Sequence, residues 1–230
     1  MRQSKNAHVA ARKKMQQTNN VKFDVLNMPP ENTNSVLVSS GGDCVIFDAW
    51  GRAADWVHEF DSRGVRLRAI YSTHGHPDHI SAAPDLVRKY NVPWFIDADD
   101  LFLIGQNNNI LDYYSLPHIE LGNVHPTSMP DGPLNILPGI KMEIIKTPGH
   151  TPGGVVFWFP DFRILLSGDT VFDECLGRYD LPGGDRHKLW DSVERLYKMD
   201  FSDDTFVVHG HGANSTIKQL KLHNPWFRAR

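Results

Sequence analysis

Three histidines and one aspartate lie close together in the segment THGHPDH, residues 73–79. Imidazole nitrogens and carboxylate oxygens are ligands that zinc, iron and manganese use in proteins. Side chains two residues apart on an extended chain point in the same direction, so His74 and His76 can bind one ion together. Gly75 between them has no side chain to crowd such an ion. The segment therefore predicts a metal site.

Pro77 indicates how the rest of this segment is used. Proline disfavours helical backbone at the residue before it, which keeps His76 extended. Proline also fits the first turn of a helix, and a helix that begins there would turn Asp78 and His79 toward a second ion. One short segment can thus supply ligands to two metal ions.

Three later turns have the same layout, in which an apolar strand leads to a histidine or an aspartate. EIIKTPG precedes His150, RILLSG precedes Asp169, and TFVVHG precedes His211. Strand ends hold functional groups well, because a rigid sheet fixes them while the loop stays accessible. Cysteine is absent from the set, which disfavours a closed structural zinc site. The candidate ligands, enough for two ions, are His74, His76, Asp78, His79, His150, Asp169 and His211.

The elements that must hold these turns are strands and helices in two similar halves. SVLVSSGGDCVIFDA predicts a hairpin, AADWVHEFDSRG a helix ended by Gly64, and VRLRAIYST the strand before the first histidines. The pattern restarts with the strands KMEIIKT, VVFWF and RILLS, a helix with Asp185 as N-cap, the strand TFVVH, and a last helix capped by Ser215 or Thr216. Residues 106–139 are predicted to be mostly loop. Two packed sheets with helices outside are expected.

The whole chain has the composition of an ordinary soluble globular protein. Its 230 residues are 40% hydrophobic and 22% charged, and the net charge of −3 provides no basic field for nucleic acid. No apolar run reaches the roughly 18 residues of a membrane span. The two cysteines, Cys44 and Cys175, lack metal-type spacing and indicate a reducing compartment. We therefore expect a cytoplasmic protein without nucleic-acid or membrane partners.

Residues 1–20 differ in composition from the rest of the chain. They contain five Lys and Arg residues and no acidic residue. We predict a basic disordered leader over residues 1–20, followed by a single domain over residues 21–230. A short organelle-targeting segment is the alternative interpretation, although the leader is rich in Asn and Gln.

The motifs THGHPDH, TPGHTPGG, SGDTVF and GHG occur in the order found in metallo-β-lactamase-fold hydrolases. The segments GRYDLPGGD and GHGANSTI…HNPWF most resemble the single-domain glyoxalase II-like branch of that superfamily. The resemblance extends from about residue 34 to residue 227. It implies an α+β fold, the metallo-β-lactamase-type αβ/βα four-layer sandwich, in which two mixed β-sheets pack face to face with helices outside.

The resemblance also implies a role for each candidate residue. The first metal would be held by His74, His76 and His150, the second by Asp78, His79 and His211, and Asp169 would bridge the two. The implied cofactors are two divalent ions, zinc before iron or manganese, with a hydroxide between them as the nucleophile. Asp78 would also orient that nucleophile as the catalytic residue. Asp48, in IFDAWG, would orient a ligand histidine from behind.

The chain departs from the family pattern at several positions. Asp48 is followed by Ala-Trp-Gly where the family usually has Pro-Gly, and Leu220 replaces a glutamate of the last helix. His209 stands where proline is common, which makes it an alternative to His211 as the last ligand. We favour His211 because it fills the Gly-His-Gly position of the family.

Arg178 and Tyr179 are candidate substrate contacts. Arg178 falls where two-domain glyoxalase II enzymes have a lysine that contacts glutathione, but Asp180 replaces their tyrosine. A structural ion pair is the alternative role for Arg178.

The resemblance implies a dinuclear hydrolase of a small thioester or ester, similar to hydroxyacylglutathione hydrolase. A mononuclear non-haem iron oxygenase resembling persulfide dioxygenases is the alternative, because that branch shares a THxHxDH motif and a GRxD segment. The region of its final histidine differs from GHGANST, which ranks it second. Lactonase activity also fits the fold. A degenerate binding protein is disfavoured by the complete ligand set.

Overall fold

The computed structural model describes residues 12–18, 20–28, 32–106, 108–130 and 132–228, with only the backbone of residues 12–18. The strands in this part of the chain form two sheets. The first sheet contains, in spatial order, β1 (Arg12–Thr18), β2 (Val21–Met28), β3 (Thr33–Ser40), β4 (Asp43–Phe47), β5 (Arg66–Tyr71), β6 (Trp94–Ile96) and β7 (Thr127–Ser128). The neighbouring pairs from β1 to β4 run antiparallel, whereas the pairs from β4 to β7 run parallel.

The second sheet is built from the later half of the chain. It contains β8 (Leu134–Leu137), β9 (Ile140–Lys146), β10 (Val155–Phe159), β11 (Ile164–Gly168), β12 (Phe206–His209) and β13 (Ser215–Thr216), each strand beside the next. Strands β11 and β12 run parallel, and the other neighbouring pairs run antiparallel. The predicted hairpin and the predicted strands of both halves are therefore confirmed.

The helices connect and cover the strands. They are α1 (Ala53–Arg63), α2 (Pro77–Ile80), α3 (Ala83–Tyr90), α4 (Asn109–Tyr113), α5 (Arg186–Lys198) and α6 (Ile217–His223), with short 3-10 helices at Ala98–Leu103 and Pro160–Phe162. Helix α1 ends at Gly64 in a left-handed conformation, and the Asp185 side chain caps α5, as the sequence predicts. Thr216 caps α6 in a reciprocal capping box with Gln219.

Three apolar clusters hold the layers together. Between the sheets, Phe23 of β2 and Phe47 of β4 meet Phe159 and Phe157 of β10, each pair with ring centroids 5.0 Å apart. A second cluster packs α1 and α3 on the outer face of the first sheet, and a third packs α5 and α6 on the outer face of the second. The helix–sheet–sheet–helix order confirms the predicted α+β four-layer sandwich.

One segment that was predicted to be mostly loop contains regular structure. Within residues 106–139, which were predicted to be mostly loop, the chain forms α4, β7 and β8. These elements have five residues or fewer, too short for a periodic pattern to stand out. Among the described residues no helix is long and apolar enough to cross a membrane.

The predicted disordered leader also differs from the structure in part. Arg12–Thr18 form β1 and pair antiparallel with β2, because β2 would otherwise leave its edge groups unpaired. Residues 1–11 and 19 of the predicted leader lie outside the described residues. The domain boundary at residue 20 stays a prediction.

Candidate metal centre

The loops that bear the candidate ligands follow strands of both sheets. His74 and His76 follow β5 of the first sheet, whereas His150, Asp169 and His211 follow β9, β11 and β12 of the second. The face-to-face packing of the sheets therefore brings the ends of four strands to one edge of the sandwich. This edge holds all the predicted ligands.

Pro77 acts as the sequence predicts. His76 is extended, with φ −71° and ψ 146°, and Pro77 begins α2. The first turn of α2 then carries Asp78 and His79. The backbone is extended before the proline and helical after it. The candidate ligands on the two sides of Pro77 can therefore contribute to two different metal sites.

The donor atoms of the predicted ligands gather in overlapping groups. Within each group the atoms lie within 4.8 Å of one another, and the groups are His74, His76 and His150; His74, His79 and Asp169; and Asp78, His79 and His211. Asp169 lies between the first and the last. Its Oδ1 is 3.4 Å from His79 Nε2, and its Oδ2 is 3.7 Å from Nε2 of both His150 and His211.

The chemistry of these donors fits divalent metal ions. Nε2 of His74, Nε2 of His76 and Oδ1 of Asp169 are buried without a hydrogen-bond partner among the described residues. His76 Nδ1 and His150 Nε2 face each other at 2.9 Å. A buried polar atom without a partner costs about 1–3 kcal/mol, so such a cluster needs an occupant. Cations that accept imidazole and carboxylate ligands satisfy it.

Three candidate ligand histidines have their remaining ring nitrogen beside an oxygen atom. Nδ1 of His79 lies 2.9 Å from Oδ2 of Asp48, and Nδ1 of His150 lies 2.6 Å from the carbonyl oxygen of Arg178. Nδ1 of His74 lies 3.0 Å from Oγ1 of Thr73. Such contacts fix the ring orientation and leave Nε2 for a metal.

Asp48 holds two parts of the centre at once. Besides its contact with His79, its Oδ1 accepts a hydrogen bond of 2.7 Å from Thr73 N and its Oδ2 one of 2.8 Å from Thr73 Oγ1. Asp48 thus lies behind the candidate ligand His79, and its role in orienting a ligand stays a prediction.

Asp100 is a residue of the centre that the sequence analysis missed. Its Oδ2 accepts hydrogen bonds of 2.8 Å from Gly75 N and from Thr151 Oγ1, and its Oδ1 accepts one of 2.6 Å from Gly153 N. A Cβ at Gly75 would lie 2.8 Å from the Asp100 carbonyl oxygen, so only glycine permits this approach. Asp100 therefore ties the His74–His76 loop to the loop that carries His150.

The comparison with known families identifies the family to which the chain belongs. The model of the family described as the metallo-beta-lactamase superfamily matches residues 28–211. The chain belongs to the metallo-β-lactamase superfamily. The hydroxyacylglutathione hydrolase GloC of Haemophilus influenzae is 30% identical over 85% of this chain and 92% of its own length. This membership confirms the predicted family and supports metal-dependent hydrolysis as the class of activity.

Two solved structures show the same fold with similar sequences. The B3 metallo-beta-lactamase BLEG-1 has a TM-score of 0.78 and 27% identity, covering 89% of this chain and 99% of its own. TTHA1623, solved in a di-iron-bound form, has a TM-score of 0.76 and 30% identity, covering 88% of this chain and 98% of its own. The superfamily fold binds divalent metals, and this member has groups of His and Asp that could hold them.

In this superfamily member the alternative last ligand, His209, lies outside the donor groups. Its ring is buried, with Nδ1 2.7 Å from the carbonyl oxygen of Val171 and 3.0 Å from Ser167 Oγ. Its Nε2 lies 2.8 Å from Ser215 Oγ. Both ring nitrogens are satisfied by protein atoms, whereas His211 Nε2 lies 3.1 Å from Asp78 Oδ2 in the metal group. The geometry therefore favours His211.

A His209→Ala variant is expected to bind as much metal per folded chain as the unchanged protein but to unfold more easily. The substitution leaves the buried Ser215 hydroxyl without its partner and removes one of the two donors to the Val171 carbonyl, which lowers the free energy of unfolding by roughly 1–3 kcal/mol. Metal analysis and thermal unfolding measure the two effects, with the exposed His125→Ala as control. A variant that folds but loses metal would show that His209 is a ligand.

The charges around the second group of donors favour proton binding when metal is absent. Burial lowers the pKa of His79, but the carboxylates of Asp48, Asp169 and Asp78 raise it well above its usual value. Burial also lowers the pKa of His211, and the hydrogen bond with Asp78 and the charge of Asp169 give a net increase.

The first group of donors shows the opposite shift. Burial, followed by the charge of His79, holds the pKa of His74 well below its usual value. Burial and the neighbouring His150 lower the pKa of His76 to about 4. These two rings are therefore neutral, and ready to bind a metal, at pH values where His79 and His211 hold protons.

Acidification is expected to release metal from the group Asp78, His79 and His211 before the group His74, His76 and His150. As the pH falls, protons bind His79 and His211 first, which favours the metal-free form of that group. The check is the metal content per chain after dialysis at a series of values between about pH 8 and pH 5. Simultaneous loss of both ions would contradict the difference in proton affinity.

A cavity of about 540 Å³ opens over the centre, and one of the two candidate substrate contacts lines it. Arg178 lines this cavity, but its guanidinium donates hydrogen bonds of 3.0 and 2.9 Å to Asp180. The structure thus shows the ion pair that was the alternative for Arg178. Tyr179 is 40% exposed, and its ring centroid lies 5.9 Å from the guanidinium carbon of Arg186. Its contact with substrate stays a prediction.

Proposed function

We propose that the chain is a dinuclear metal-dependent hydrolase of small thioesters or esters. The observation that carries the proposal is the position of Asp169 between two groups of donors at the floor of the cavity. The ligands of one ion would be His74, His76 and His150, those of the other Asp78, His79 and His211, with Asp169 shared. Zinc is the first candidate metal, and iron or manganese are the others.

The bound ions would supply a water of lowered pKa and polarise the substrate carbonyl. The protein residues hold and orient the reacting groups. The pKa of Asp78 is below its usual value, because burial raises it less than the charge of His79 and the hydrogen bond from His211 lower it. The ionised Asp78 carboxylate can therefore accept a hydrogen bond from the attacking water and direct it at the carbonyl. Hydrolysis adds this water across the C–S bond and yields a carboxylate, a thiol and a proton.

The similarity to GloC supports thioesters as the first substrates to test. A thioester of glutathione with a hydroxy acid is the class that the name of that relative gives. The two cysteines, Cys44 and Cys175, are free thiols, in agreement with the proposed reducing, cytoplasmic setting.

The test joins elemental analysis of the purified protein with a substrate screen. We expect about two zinc, iron or manganese ions per chain and turnover of thioesters or esters. Protein with two ions that hydrolyses no thioester, ester or lactone would overturn the proposal. One iron per chain with oxygen uptake on glutathione persulfide would replace it with the oxygenase.

A further inference from the structure

One wall of the cavity over the centre is apolar. Phe172, Leu176 and Leu181 line it from the segment after Asp169, and Ile110 lines it from α4. The Phe172 ring centroid lies 6.5 Å from that of His211, so the wall begins beside one of the groups of candidate metal donors. A cavity of about 540 Å³ is in the size range of small-molecule sites.

Two residues of this wall, Phe172 and Leu176, lie on a hairpin formed by residues 171–176, and hydrogen bonds from Asn224 near the C-terminus hold that hairpin in place. Val171 and Leu176 form an antiparallel bridge, and Phe172 N donates a hydrogen bond of 2.8 Å to the Cys175 carbonyl. The buried Asn224 amide donates to the carbonyls of Phe172 and Cys175, at 2.7 and 2.9 Å. A wall fixed in this way can select substrates by shape.

Asn224 is itself fixed by backbone contacts. Its Oδ1 accepts hydrogen bonds from the backbone N of Trp226 at 2.9 Å and of Phe227 at 3.2 Å. The HNPWF segment, which the catalytic proposal leaves without a role, thus orients the amide that holds the hairpin. Next to Asn224, His223 Nδ1 lies 2.9 Å from Asp173 Oδ2 in the same hairpin.

The charged side chains that line the cavity are already paired or belong to the donor groups. Arg178 is the one Lys or Arg among the cavity-lining residues that the structure describes, and Asp180 binds its guanidinium. The carboxylates of Asp78 and Asp169 belong to the donor groups. A charged substituent against the wall would lose water and meet no charged group that is not already paired or among the metal donors, which disfavours it.

We infer that the hairpin wall binds an apolar substituent of several carbons next to the scissile carbonyl, and that Asn224 is the residue that positions this wall. The hydrolytic part of this inference rests on the proposed function. The apolar substituent can be the acyl chain or the alkyl part of the thiol, since both flank the carbonyl. Both would gain from burial against Phe172 and Leu176.

The experiment compares two substrate series on the metal-loaded full chain. One series lengthens the acyl chain of N-acetylcysteamine thioesters, and the other lengthens the alkyl thiol of acetyl thioesters. We expect kcat/KM to rise roughly fourfold per methylene in one series, which identifies the side that meets the wall. Flat dependence in both series would overturn the inference, although the hydrolase proposal would stand.

Variants of the wall test the residues assigned to it. Phe172→Ala and Leu176→Ala are expected to flatten the chain-length dependence, whereas the exposed Leu222→Ala keeps it. Asn224→Asp removes both N–H donors at constant size. It is expected to raise KM about tenfold for the longest substrate while kcat and metal content hold. Unchanged chain-length dependence in both wall variants would refute the assignment, and an unchanged KM in Asn224→Asp would refute its positioning role.

A binding measurement separates failure of the wall from failure of hydrolysis. The Kd values of straight-chain carboxylates and alkyl thiols are measured by calorimetry on the same metal-loaded protein. If no thioester or ester is turned over, the proposed function fails. Affinity that still rises with chain length, and falls in Phe172→Ala, would then support the wall, and affinity independent of length would overturn it.

Discussion

An Asp169→Ala variant is expected to bind fewer than two metal ions per chain and to lose roughly three orders of magnitude or more of hydrolytic activity. Asp169 lies within 3.4 to 3.7 Å of the Nε2 atoms of His79, His150 and His211, so its carboxylate faces both donor groups. Removing it takes an anionic ligand from each proposed ion. The several kcal/mol of charge stabilisation that two ions supply is lost with them.

The measurement is metal content per folded chain together with kcat/KM on the best thioester. Asp204→Ala is the matched control, because Asp204 is an exposed aspartate paired with Arg163. We expect wild-type metal content and activity from the control. An Asp169→Ala protein that keeps two ions would contradict the bridging role, even if its activity fell.

The candidate ligands could be found from the sequence because each signal is local. Each ligand follows an apolar run within a few residues, and Pro77 determines the backbone on both sides of it. The structure shows that the predicted ligands converge, and their roles as ligands stay a prediction. The four-layer fold was predictable for a related reason. The residues of each strand in the two halves indicate that strand without reference to distant parts of the chain.

The contacts that support the candidate ligands and the cavity wall could not be found from local sequence signals. The His150 ring is oriented by the carbonyl oxygen of Arg178, and a backbone oxygen leaves no mark on residue type. Asn224 binds backbone carbonyls 52 and 49 residues away. Asp100 lies in the run DADD, where Asp97 caps the following helix, so its composition indicates only a helix start. Its partners are 25 to 53 residues distant and are defined by the tertiary fold alone.

The second large effect is expected from Asp100→Asn, which should weaken metal binding at the group His74, His76 and His150. An aspartate presents two acceptor oxygens to Gly75 N, Thr151 Oγ1 and Gly153 N. Asparagine presents one, and its NH2 group would face a donor. At least one buried donor then loses its partner, which costs about 1–3 kcal/mol.

The loss should reach the metal because two of the three donors are adjacent to a candidate ligand in the chain, and the third, Gly153, lies three residues after His150. Gly75 separates His74 from His76, and Thr151 follows His150. Moving either loop changes the distance between the imidazoles of the group, now 2.9 Å between His76 Nδ1 and His150 Nε2. Loss of a contact that orients a ligand typically lowers metal affinity by about 10–100-fold.

Titration with a chelator distinguishes this positioning role from a general loss of stability. We expect one of the two ions to leave Asp100→Asn at about 10–100-fold lower chelator concentration, while the other leaves as in the unchanged protein. The neighbouring exposed Asp99→Asn should behave like the unchanged protein. If Asp100 had only a structural role, Asp100→Asn would lower the unfolding temperature and leave both metal affinities of the folded chain unchanged. That outcome would show that the loops keep their register without Asp100.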